Sequence, residues 1–85
     1  MQEFDDDLLE PYPVDGSLVP LIRLTRGGPP HVAVKVGDKA YHYDRSYPFK
    51  GQGAVLPRYL REQLAAGKQP LLIERADRFY VYLAD

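Results

Sequence analysis

From His31 to Asp44 the chain alternates between apolar and polar positions with period two. Val32, Val34 and Val36 precede a Gly37-Asp38 pair, and Tyr41 and Tyr43 follow it. Alternation on both sides of a Gly-Asp pair spells a β-hairpin with a two-residue turn, because such turns need a positive φ that glycine supplies without strain. The turn then sets the register: Val36 faces Lys39, Val34 faces Tyr41, Ala33 faces His42, Val32 faces Tyr43, and His31 faces Asp44. One face of the hairpin is apolar, and the other carries His31, Ala33, Lys35, Ala40, His42 and Asp44.

Other elements follow from the same kind of pattern. Leu18 to Thr25 (LVPLIRLT) reads as a strand interrupted by Pro20, whose missing amide either puts it at a sheet edge or turns that side to solvent. It joins the hairpin in a three-stranded meander through Arg26-Gly27-Gly28-Pro29-Pro30. That stretch has neither the lysine nor the free amides of a phosphate-cradling loop, so it reads as a plain strand connection. Arg45 to Gly53 reads as a loop in which Tyr47 and Phe49 seal the end of the core. Leu56, Leu60 and Leu64 recur at steps of four, with Pro57 in the first turn and Gly67 past the end, which predicts a helix from Ala54 to Ala66.

Two further apolar runs, Pro70 to Arg75 and Phe79 to Ala84, predict a second hairpin around Ala76-Asp77-Arg78. A two- or four-residue loop pairs Ile73 with Tyr80, whereas a three-residue loop pairs Ile73 with Val81. The second register is the one expected, since it gathers Leu71, Ile73, Phe79, Val81 and Leu83 on one face and leaves Leu72, Tyr80 and Tyr82 on the other. The result is an α+β fold, an antiparallel sheet of about five strands in the order β-β-β-α-β-β with one helix across one face.

Charge divides the chain. Residues 1 to 17 hold six acids and no Lys or Arg, whereas residues 18 to 85 hold all eleven basic residues against six acids, a balance of +5. Prolines at 11 and 13 and an Asp15-Gly16-Ser17 turn give no sustained period before Leu18. Residues 1 to 17 are therefore expected to be an acidic, largely irregular arm, and residues 18 to 85 a single small domain. The absence of cysteine excludes disulfides, thiolate nucleophiles and Cys-based zinc sites. The acidic start is unlike a signal peptide, and no apolar run approaches the ~20 residues that span a bilayer, so the expectation is a cytoplasmic protein without membrane association.

These residues suggest binding rather than catalysis. His31, His42 and Asp44 are the chemistry of some metal and acid-base sites, yet they are expected along a flat face with no cavity, fourth ligand or adjoining nucleophile, so neither a cofactor nor a metal is expected. The opening H-V-x-V-x-V-G-D resembles the histidine-bearing hairpin of NlpC/P60-type papain-like hydrolases over the length of one hairpin, but that family's catalytic cysteine has no counterpart here. The expected function is a small non-enzymatic protein-binding module, a regulator or inhibitor of a larger partner. Its expected contact residues are His31, Lys35, His42, Asp44, Tyr80 and Tyr82 on an open sheet face, with Phe4, Leu8 and Leu9 of the arm. The same open face or an edge strand could also pair two copies. An alternative is a nucleic-acid binder that uses Lys35, Lys39, Arg45, Lys50, Arg58 and Arg61 with stacking tyrosines, the acidic arm acting as an autoinhibitory mimic.

Overall fold

The structure is a computed structural model that describes residues 2–25, 31–50, 54–76 and 78–85. Its strands are β1 (Gln2–Phe4), β2 (Glu10–Val14), β3 (Ser17–Leu24), β4 (Ala33–Val36), β5 (Lys39–Pro48), β6 (Gln69–Arg75) and β7 (Arg78–Ala84), with one helix, α1 (Val55–Ala65), between β5 and β6. The α+β class and the single helix are as expected; the sheet is larger and differently wound. Seven strands form one mixed sheet in the order β1-β4-β5-β7-β6-β3-β2, in which β1·β4 and β3·β6 are parallel and the other pairs antiparallel.

Three expectations are corrected by this order. The β3 strand is interior, held between β2 and β6, so no meander joins it to the hairpin. Residues expected as an irregular arm are woven into the sheet, β1 at one edge and β2 at the other. Arg45 to Pro48 continue β5 instead of forming a loop. The Arg26–Pro30 connection and the Gly51–Gly53 part of the expected loop lie outside the described residues.

Both edges of the sheet come from one short piece of chain, and this forces its shape. Laid flat, seven strands would put β1 about 29 Å from β2 at ~4.8 Å per strand. Phe4 and Glu10 are six residues apart, a reach of about 21 Å fully extended, and a single 3-10 turn at Asp6–Leu8 shortens it further. The sheet therefore curls into a half-barrel. Its outer face packs on α1 through Val14, Val19, Leu21, Leu56, Tyr59, Leu60, Leu72, Phe79 and Val81. Its inner face closes on itself through Ile22, Val34, Val36, Tyr41, Leu71, Ile73, Tyr82 and Ala84, with Phe4 and Leu9 packed against them.

Turn chemistry sets the local registers. The β4·β5 hairpin has the expected pairing from Ala33↔His42 to Val36↔Lys39. Gly37 takes φ 58 in its turn, and a Cβ there would meet an Asp6 carboxylate oxygen at 2.6 Å. The β2·β3 hairpin turns on Asp15 and Gly16, both at positive φ. The β6·β7 register differs from expectation: Ile73 pairs with Tyr80 and Arg75 with Arg78, the pairing of a two-residue loop. Ala76 takes φ 49 there, the left-handed conformation usually given to glycine. Leu71, Ile73, Tyr80 and Tyr82 consequently face inward, while Leu72, Phe79, Val81 and Leu83 face the helix. The helix ends as its sequence predicts: Gly67 at φ 83 follows the last turn, with Gly67 N–H donating to Leu64 C=O (3.1 Å) and Lys68 N–H to Gln63 C=O (3.0 Å).

Candidate functional site

The residues expected on one open face are distributed over both sides of the curl. Tyr82 is 2% exposed and faces inward, where its hydroxyl donates to the His31 carbonyl at 2.9 Å. Tyr80 is half-buried on the same inner side, and Tyr43 packs against both tyrosines at 6.1 and 5.6 Å. Lys35 lies between Ala40 on β5 and Glu3 on β1. Exposed His42 pairs with Ala33 and Leu83 and lies on the helix side. Phe4 and Leu9 are half-buried in the inner core, and Leu8 is exposed. The expected His31–Asp44 pairing does not form, because β5 bulges at Asp44: Tyr43 faces Tyr82 and Arg45 faces Val81, leaving Asp44 as the extra residue. Among the described residues no group of three or more His, Cys, Asp or Glu could hold a metal ion.

The bulge turns both Asp44 and Arg45 toward α1. The Tyr59 hydroxyl donates to Asp44 Oδ2, Arg45 Nε donates to the same oxygen at 3.0 Å, and the Arg45 guanidinium lies 4.1 Å from the Tyr59 ring centroid. Burial, then the Asp44 carboxylate, push the Tyr59 hydroxyl up to about 12. Tyr47 leans on Tyr59 with ring centroids 6.0 Å apart. Asp44 Oδ2, Arg45 Nε and the Tyr59 hydroxyl are bonded to one another, so the cluster fastens the helix to the sheet. The basic residues of the nucleic-acid alternative are spread over several elements: Lys35 and Lys39 on the first hairpin, Arg45 on Tyr59, Lys50 after β5, Arg58 and Arg61 on α1, with Arg61 paired to Asp15.

A cleft lies where β3 and β6 come apart. Their parallel ladder runs from Leu21↔Leu72 to Leu24↔Arg75 and stops. The two-residue turns fix which backbone groups point across it. Val14↔Ser17 and Arg75↔Arg78 close their hairpins, so Leu18 and Pro20 on β3 and Pro70 on β6 direct their backbone away from their antiparallel neighbours and toward each other. The next two bonds would run from a Pro20 amide to the Pro70 carbonyl and from a Pro70 amide to the Leu18 carbonyl. Proline has no such amide. The ladder ends, and two carbonyls face the gap with no ladder donor among the described residues.

The opening measures about 180 Å³ and is lined by Leu18, Val19, Pro20, Tyr41, Leu64, Gln69 and Pro70. Val19 and Leu64 belong to the helix side and Tyr41 to the inner side, so the cleft reaches through the sheet. Leu18 at its rim is 69% exposed, whereas Tyr41 in its wall is 7% exposed. Apart from Tyr41, one of the tyrosines that could stack on bases in the nucleic-acid alternative, none of these residues was expected as a site. The sequence carries one signal for them: both apolar runs that form the pair, VPLIRL and QPLLIER, open on a proline. No protein-family model, curated protein or solved structure matches the chain.

Proposed function

We propose that this chain is a small non-enzymatic protein-binding module, a regulator or inhibitor that takes a side chain of a larger partner into the cleft between β3 and β6. The observation that carries this reading is Leu18, a large apolar side chain 69% exposed at the rim of an opening whose walls include the buried Val19, Tyr41 and Pro70. A soluble chain exposes such a pairing of rim and slot at a cost unless something covers it.

Side-chain insertion is favoured over strand addition. The outer edge of β1 is three residues long. On β2 the residues whose amides would point outward are Pro11 and Pro13, which have none to offer. A photo-crosslinking residue at Leu18, with one at Lys50 as control, tests the proposal in cells that make the protein. A partner joined through position 18 and not 50, whose purified form binds the wild-type chain and not Leu18→Glu, supports it. Equal capture at both positions, or undiminished binding by Leu18→Glu, overturns it.

A further inference from the structure

We propose that the side chain the cleft accepts is an arginine, its guanidinium hydrogen-bonded to the carbonyls of Leu18 and Pro70. This inference rests on the cleft being the binding surface. Its chemistry comes from the two prolines, which leave the Leu18 and Pro70 carbonyls without a ladder donor on either side of one opening. A group bearing acceptors of its own would meet two opposing dipoles there, so the occupant must donate and must not accept. Guanidinium has five donors in a planar fork, no acceptor, and weaker hydration than an ammonium.

The walls suit the rest of the side chain. Leu18, Val19, Leu64 and Pro70 offer apolar surface to its three-carbon stem. The Tyr41 ring already draws a cation, with the Lys39 ammonium 5.8 Å from its centroid. Lys39 repels a second cation, and Asp6, whose charge together with burial raises the Tyr41 hydroxyl, offsets it. The Lys68 charge beside Gln69 is engaged with Asp85.

The test uses the full chain and four small probes, the Nα-acetyl amides of arginine, citrulline, lysine and norleucine, followed by NMR shifts of Leu18, Tyr41 and Leu64. The arginine amide is expected to give saturable shifts at all three, about tenfold tighter than citrulline, which keeps the fork and loses the charge. Pro20→Ala supplies the missing donor to the Pro70 carbonyl, and with Pro70→Ala as a second variant it should weaken arginine binding about tenfold. Norleucine binding as tightly as arginine overturns the guanidinium and leaves an apolar docking cleft standing. Tighter binding of lysine, or arginine binding unchanged in both proline variants, also overturns it. No shift with any probe overturns the cleft as a receptor altogether.

Discussion

The Tyr59 hydroxyl donates to the Asp44 carboxylate across the space that the β5 bulge opens, and the Arg45 guanidinium covers the same ring at 4.1 Å. A neutral tyrosine in this position is favoured over its anion by burial and by the adjoining carboxylate, which is why its hydroxyl rises from 10.0 to about 12. The folded value lies above the unfolded one, so the stability contribution is complete below pH 10 and is lost as pH rises toward 12. In a phenolate absorbance titration Tyr59 ionises late, together with Tyr12, Tyr41 and Tyr82, whose hydroxyls burial also raises, and Tyr59→Phe removes one phenolate from that late phase. The same variant lowers stability by about 1–2 kcal/mol in urea unfolding, since Asp44 keeps Arg45 as a partner. An unchanged late step in Tyr59→Phe would contradict the assignment.

Gly37 answers two demands, a φ of 58 and the approach of Asp6. Gly37→Ala should cost about 1–3 kcal/mol through backbone strain. Asp6 ends in a movable carboxylate, so Asp6→Ala placed in the Gly37→Ala background should recover only a minor part of that loss. Full recovery would show that contact, not conformation, requires the glycine.

The charge asymmetry of the chain suggests that acids hold the N-terminal segment to the basic body, and Glu10–Arg23 at 3.1 Å and Asp15–Arg61 do join the two. All four side chains are about half exposed, where an ion pair is worth about 0–1 kcal/mol. Phe4 and Leu9 pack against the inner core. Glu10→Gln with Asp15→Asn is therefore expected to be nearly neutral in thermal unfolding, and Phe4→Ala with Leu9→Ala to lose about 2–4 kcal/mol. The reverse ranking would make the attachment electrostatic.

Edge chemistry gives a prediction of its own. Replacing Pro11 and Pro13 by valine restores two outward amides on β2 without disturbing Glu10, Tyr12 or Val14, which bond to β3. The variant should self-associate through that edge, seen as a larger mass in light scattering with the monomer's helix and strand content retained. A strictly monomeric double variant would remove the protective role of the prolines.

How much of this was legible in the sequence depended on range. The β4·β5 register could be read because Gly37-Asp38 and the flanking period lie within a dozen residues. The α1 helix could be read because its leucines and Gly67 carry both its face and its end. The β6·β7 register was misread because Ala76 takes a conformation that composition assigns to glycine. Pairing of β3 with β6 brings together Leu21 and Leu72, and nothing local records so long a crossing. The open face was an error of the same origin. A curled sheet buries both sides, and the near-continuous apolar runs PLLIE and FYVYLA are the pattern such strands show. The cleft lay in that unread crossing.

Because β1 and β2 are neighbours in the chain and opposite ends of the sheet, the order of synthesis runs against the order of assembly. Residues 2–24 hold one hairpin, and its inner strand awaits β6 at Gln69–Arg75, which is made well after it. The two longest antiparallel ladders among the described residues, β5·β7 and β6·β7, join residues from His42 to Ala84. Closure of the sheet therefore waits for β6 and β7, and long-separation pairing of this kind is slow. Until then the apolar strands PLIRL and HVAVKV are exposed together, so the interval between synthesis and closure is when this small chain most needs protection from its own copies.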